Sequence, residues 1–320
     1  MQNIFDKLKF NNKLALAPMA GYTYSAFRQI CKESGAGLLF TEMISSYALV
    51  HGDTKTLSML EFSDIEHPIG VQIFGNDPEI MATAAKILEK NYNFDFIDLN
   101  FGCPAPKISD RGHSGSYLLK DLPLLKAIAE SVVKAVKIPV SAKIRLGFDK
   151  NSLNGQEVAK ILENAGVSFI SVHGRTKEQG YSGTVDLLKI KEIKQAVSIP
   201  VIGNGDITSL ADFNKMLEFC QVDAVMIGRK ALANPLIFKE ILTEKDGLKT
   251  PDIIAEIILK HYRLLKSKEK DERRCFLLMR GAILFYLKNT KATSKLKSEV
   301  CKICSEENLF SVINEIKKIQ

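Results

Sequence analysis

Ile199-Pro200-Val201-Ile202-Gly203-Asn204-Gly205-Asp206, answered one helical interval later by Ala224-Val225-Met226-Ile227-Gly228-Arg229, decides how this chain folds. Each half is a short aliphatic run that breaks off on glycine beside a polar side chain. The same wording recurs upstream, and aliphatic runs at 14–17, 38–40, 69–74, 94–99, 139–144, 169–172, 200–202 and 224–227 make eight strand candidates. Near-continuous apolar strands alternating with helices indicate a parallel sheet covered on its outer face.

The intervals between the runs read as helices. Asp77-Pro78-Glu79 supplies an N-cap, a proline at the first position and an acidic first turn, followed by Ile80, Ala84, Ile87 and Leu88 at helical spacing. Asp121-Leu122-Pro123 opens another helix, carried by Leu124, Ile128, Val132 and Val136 into the strand that starts near Pro139. No GxGxxG follows the first run, so eight such units are expected to close into a (β/α)8 TIM barrel, not an open doubly wound sheet. Past Pro235 the pattern changes: 251–267, 272–288 and 309–319 read as amphipathic helices with no strand between them. The expected organisation is a catalytic barrel over 1–245 and a small all-helical domain over 246–320.

Composition is that of an ordinary globular chain, 46 % apolar and 25 % charged. No run approaches the ~20 apolar residues of a membrane span, and the first residues lack a basic region followed by an apolar core, so neither a membrane nor a secretory route is expected. Six scattered cysteines suit a reduced, cytoplasmic setting. The net charge of +7 is unevenly placed: from Asp246 onward there are 16 Lys/Arg against 10 Asp/Glu, which is +6 of it. By charge alone that segment suits either a polyanion or a solvated surface.

Active sites of such barrels lie at the C-terminal ends of the strands, and polar residues gather there in this chain. Glycines after the seventh and eighth runs let backbone N–H groups approach a phosphate, and Asn204 and Arg229 stand beside them. Lys143 stands within an apolar run, where a buried ammonium requires a partner. A flavin whose N1–C2=O region turns anionic on reduction would provide one. Gln72 suits either the edge of that ring or a satisfied core amide. Cys103 lies on a Gly-Cys-Pro turn directly after the fourth run, which presents the thiol at the barrel mouth. Cys301-Lys302-Ile303-Cys304 has no second ligand pair at metal-site spacing and reads as part of a helix, so no metal is expected.

Taken in order, Ala17-Pro18-Met19-Ala20-Gly21, Val71-Gln72-Ile73, Asn100-Phe101-Gly102-Cys103-Pro104, Ala142-Lys143-Ile144-Arg145, Val172-His173-Gly174-Arg175-Thr176, Ile202-Gly203-Asn204-Gly205-Asp206-Ile207 and Met226-Ile227-Gly228-Arg229 resemble the tRNA-dihydrouridine synthases, most closely the bacterial B subgroup. The resemblance implies FMN as cofactor, NADPH (or NADH) as reductant and tRNA as substrate. It places Pro18, Met19 and Ala20 beside the flavin, Gln72 and Lys143 on its polar edge, and His173 near it. Asn204, Gly205, Asp206, Gly228 and Arg229 would hold its phosphate. Hydride from flavin N5 would reach C6 of a uracil while Cys103 protonates C5, with Asn100 orienting the base and Arg175 close to the substrate. The target base must leave the folded tRNA to enter a barrel mouth, and the basic helical segment falls where the family's RNA-binding helices stand. The chain is expected to act as a monomer. An FMN barrel reductase of a small pyrimidine, dihydroorotate-dehydrogenase-like, is the competing reading. Two departures from the family pattern are His113 and Tyr117 after the cysteine, and Gly281 and Ala282 where the helical segment more often carries Lys and His.

Overall fold

A computed structural model describes residues 3–319. Eight strands, β1 (Leu14–Leu16), β2 (Leu39–Ser45), β3 (Ile69–Phe74), β4 (Phe96–Phe101), β5 (Val140–Arg145), β6 (Phe169–His173), β7 (Val201–Asn204) and β8 (Ala224–Ile227), pair in parallel in the order β1-β8-β7-β6-β5-β4-β3-β2. A parallel bridge between Ala15 and Leu38, with Leu16 N–H donating to Leu38 O at 2.9 Å, joins the two end strands and closes the barrel. Strands β4, β5, β6 and β7 run one or two residues further toward their C-terminal ends than the apolar runs indicate, and β2 runs five further. Asn100, Arg145, His173 and Asn204, read from sequence as strand ends, are strand residues. They are polar yet tolerated in β-structure because they line the mouth, where each finds hydrogen-bond partners.

Side chains alternate in and out along each strand, and the inward ones stack in layers drawn from alternate strands. The lowest layer is Phe40, Phe96, Phe169 and Ala224 from the even strands, all wholly buried. Its rings meet edge to face, Phe40 on Phe96 and Phe96 on Phe169 at 5.2 Å each. Phe5, from the short helix Ile4–Lys7, packs onto Phe169 at 5.4 Å and extends this apolar plug. Gly70 of β3 is needed for it: a Cβ there would stand 2.1 Å from the Phe96 ring. The barrel floor is therefore apolar, and Gln72, Asp98, Ser141, Lys143, Ser171 and Asn204 stand above it.

The chain divides into two compact units, one formed by residues through Ser25 with Ala36–Gly228, the other by Ala26–Gly35 with residues from Arg229 onward. The second unit is helical, with Arg229–Ala233, Ile237–Thr243, Pro251–Lys266, Glu272–Tyr286, Ser294–Cys301 and Glu306–Lys317. Helix Ser294–Cys301 was not foreseen, and Cys304 lies beyond its end, so the two cysteines do not share a helix. Within this unit His261 is wholly buried, with Nδ1 2.9 Å from the Tyr286 hydroxyl. Burial pushes its pKa down to about 3, which makes it a neutral core residue. Arg280 donates Nε–H to Ile303 O at 2.8 Å and ties helix Glu272–Tyr286 to the connection between the last two helices. Among the described residues no helix is long and apolar enough to cross a membrane, and no cluster of His, Cys, Asp and Glu could hold a metal.

Candidate active site

Above the aromatic floor the inward residues turn polar. Asp98 of β4 is wholly buried and accepts two short hydrogen bonds, from Ser141 Oγ and from Gln72 Nε2, both 2.6 Å. Both donors are its direct neighbours in the sheet register, Gln72 on β3 and Ser141 on β5. Burial raises the Asp98 carboxyl to about 6, against the pull of those two bonds and of Lys143. Two residues on and on the same face, Asn100 donates Nδ2–H to Gln72 Oε1 at 2.9 Å. Its Oδ1 accepts the backbone N–H groups of Cys103 at 2.9 Å and Gly102 at 3.2 Å.

That last pair shapes the turn that carries the thiol. Cys103 O in turn accepts Ser116 Oγ–H at 2.8 Å and Ser116 N–H at 3.2 Å, so the turn is pinned from both sides. Gly115, with φ +58°, passes so close that a Cβ would lie 3.0 Å from Cys103 O. The thiol is partly buried, and burial pushes its pKa up, outweighing the Ala105 N–H, Arg145 and Lys143, which pull it down. At neutral pH Cys103 is a thiol that keeps its proton. That is the state of a general acid, not of a thiolate nucleophile. The atypical His113 and Tyr117 stack on each other at 4.5 Å in the loop beyond.

Lys143, on β5, donates to Asn204 Oδ1 at 3.1 Å, and Asn204 Nδ2 donates to Met226 O at 2.8 Å. This lines up β5, β7 and β8 at one level of the barrel. Burial, reinforced by the Arg145 charge, lowers Lys143 to about 8. The bond to Asn204 uses one of three N–H donors. An ammonium with donors to give, in a partly open polar mouth, fits a group with a carbonyl-rich edge that becomes anionic. Ser171 Oγ, inward on β6 and paired in register with Lys143, is buried without a hydrogen-bond partner.

Two arginines hold the mouth loops. Arg145 is 2 % exposed; it donates Nε–H to Gly102 O and Nη1–H to Thr176 O and Gly180 O, each at 2.8 Å. It thereby ties the Cys103 turn to the loop after β6. Arg175, 1 % exposed, donates to Ser182 O at 3.0 Å, to Gly183 O and the Asp206 carboxylate at 2.6 Å each, and lies 3.4 Å from His173 Nε2. Asp206 also accepts Val185 N–H at 3.2 Å. The side chains of Arg175 and Asp206 therefore brace the loop after β6. Gly205, with φ +122°, leaves room for the His173 ring, since a Cβ there would stand 2.9 Å from it.

Pro18, Met19 and Ala20 form the loop after β1, where Met19 N–H donates to Thr23 Oγ1 at 3.0 Å. The Met19 sulfur would sit 3.9 Å from a Cβ on Gly228, which brings the loops after β1 and β8 side by side. Arg229 directly follows Gly228 and begins a helix of only five residues. The helix after β7 does not start until Leu210. Helix dipoles are thus a minor part of any phosphate site here, and backbone N–H groups of the glycine loops the larger part. Sequence reasoning gave no role to Asp98, Ser141 and Ser171; the signal available was a charged residue inside the fully apolar run Phe96-Ile97-Asp98-Leu99.

The sequence profile described as Dihydrouridine synthase (Dus) matches residues 15–319. The chain is 38 % identical over 312 residues, 96 % of both chains, to a probable tRNA-dihydrouridine synthase of Aquifex aeolicus (strain VF5). It is 40 % identical over 284 residues, 87 % of this chain and 85 % of the relative, to tRNA-dihydrouridine synthase B of Pasteurella multocida (strain Pm70). Among solved structures, histamine dehydrogenase from Rhizobium sp. 4-9 superposes with TM-score 0.57 at 17 % identity, covering 79 % of this chain and 49 % of that one, a likeness of fold.

Proposed function

The chain belongs to the dihydrouridine synthase family, and from that premise we propose that it reduces the C5–C6 double bond of uridines in tRNA to 5,6-dihydrouridine. The observation that carries the chemistry is Cys103, a proton-holding thiol on a turn fixed by Asn100 and Ser116 at the barrel mouth. Bound FMN, reduced by NADPH or NADH, supplies the hydride that C6 receives.

The chain's own residues do the rest. Lys143 offers its ammonium to the anionic edge of the cofactor, with Asn204 fixing its direction. Pro18, Met19 and Ala20 would line one side of the flavin ring, with Gln72 and His173 at its margin. The backbone at Gly205, Asp206 and Gly228, with Asn204 and Arg229, would hold the cofactor's phosphate; the Arg175 guanidinium pairs with the Asp206 carboxylate, which would otherwise repel that phosphate. Cys103 donates its proton to C5, and Arg145 and Lys143 stabilise the thiolate left behind, because both already pull its pKa down. Asn100, with Oδ1 committed to the turn, sets that donor's direction. Arg175 acts on substrate through the loop it braces.

The +6 of the segment from Asp246 onward attracts the tRNA backbone, so the helical unit that contains it is the RNA-binding part and the barrel the catalytic part. The enzyme works as a monomer, without metal, in the cytoplasm, where tRNA is found and the six free thiols stay reduced. NADPH oxidation by the flavin-loaded enzyme is expected to be driven by unmodified tRNA and not by free pyrimidines. Turnover with free pyrimidines alone would instead establish a small-molecule reductase.

A further inference from the structure

We infer that Asp98 is a positioning residue for Cys103, acting through Gln72 and Asn100 along a one-way chain of hydrogen bonds. The inference rests on the reading of Cys103 as proton donor. An ionised carboxylate only accepts, and backbone N–H groups only donate. Asp98 Oδ2 therefore requires Gln72 to present its amide nitrogen, at 2.6 Å. Gln72 Oε1 must then face Asn100, which gives it Nδ2–H at 2.9 Å. Asn100 is left with one orientation, Oδ1 toward the N–H groups of Gly102 and Cys103.

Reversing either amide alone would set its NH2 group against another donor at one end and its oxygen against another acceptor at the other. With Gln72 and Asn100 at 1 % and 7 % exposure, little water is at hand to repair that. The carboxylate at the bottom thus selects one of two amide states at the top, and with it the geometry of the turn. Ser141 holds the second oxygen and keeps the carboxylate from rotating. The Lys143 charge helps keep it ionised. The chain also means that Gln72 meets the cofactor with what its amide has left after serving Asp98 and Asn100.

The test compares Asp98→Leu, which offers no acceptor, with Asp98→Asn. The Asn variant can still turn an oxygen to Gln72, because the Ser141 hydroxyl can accept its NH2. In the flavin-loaded enzyme, Asp98→Leu is expected to lower kcat for tRNA about 30-fold with KM within about 2-fold. Alkylation of Cys103 by iodoacetamide, followed on its own peptide, should speed up about 5-fold as the turn loosens. Asp98→Asn should stay within about 5-fold of wild type in kcat and within about 2-fold in alkylation. Should Asp98→Leu not fold, Gln72→Met cuts the same chain without removing a charge and is expected to give the same rise in alkylation. Unchanged alkylation in folded Asp98→Leu or Gln72→Met overturns the inference, as does an Asn variant as damaged as the Leu variant. If Cys103→Ala alone kept full turnover, the reading of Cys103 would fail first; if it were inactive while Asp98→Leu was not, only the role of Asp98 would fail.

Discussion

Replacing Lys143 with methionine should stabilise the flavin-free protein while weakening its hold on FMN. The ammonium is lowered from 10.5 to about 8, and at about 1.4 kcal/mol per pKa unit the charged form is disfavoured in the fold by about 3 kcal/mol. The side chain is partly open to the mouth, which screens the charge and leaves about 2 kcal/mol. Loss of the bond to Asn204 offsets about 1 kcal/mol of what the substitution recovers. A group whose folded pKa lies below its unfolded one binds fewer protons in the fold between the two values, so its cost is full below pH 8 and disappears as pH rises toward 10.5. Urea unfolding of flavin-free wild type and Lys143→Met at pH 7.5 and 10.5 reads this directly. Lys143→Met should be the more stable by about 1 kcal/mol at pH 7.5 and the less stable by about 1 kcal/mol at pH 10.5, where only the lost bond to Asn204 counts. FMN titration at pH 7.5 should show the variant binding about 10- to 100-fold more weakly, as expected for losing one charge-assisted hydrogen bond. A stability difference that does not move with pH, or unchanged FMN affinity, would refute the assignment of Lys143 as a desolvated cation awaiting an anionic partner.

Two further outcomes follow from the same geometry. Arg145→Lys keeps the charge but cannot reach Gly102 O, Thr176 O and Gly180 O together; kcat should fall about 10-fold and the loop 176–186 should become more open to limited proteolysis, with equal kcat and equal cleavage counting against the brace. Reversing Lys295, Lys297 and Lys302 to Glu should weaken tRNA binding at low salt and flatten its salt dependence without loss of bound flavin; unchanged slopes of affinity against salt would return the basic segment to a solvated surface.

How much of this was legible in the sequence depends on the scale of the signal. The aliphatic runs located all eight strands, because a fully buried parallel strand leaves an apolar trace wherever it lies. They misplaced the C-terminal ends, since Asn100, Arg145, His173 and Asn204 look like loop residues until their partners across the barrel are known. The Gly-Cys-Pro turn marked Cys103 from local wording alone. Asp98 was missed because its meaning lies in Gln72 and Ser141, each on a different strand and brought together only by register. Arg175 and Asp206 read as ligand-facing groups, yet their closest partners are each other and a loop several residues away. Helix Ser294–Cys301 went unread because its apolar face amounts to little more than Leu296 and Val300.

The central claim is that a flavin barrel delivers a proton from Cys103 to a uridine in tRNA. It is tested most directly by incubating unmodified tRNA and NADPH with flavin-loaded wild type and Cys103→Ala and counting dihydrouridine formed. Wild type should form it, while Cys103→Ala, still yellow and still binding tRNA, should form about 100-fold less per minute. Equal product from the two proteins would contradict the account.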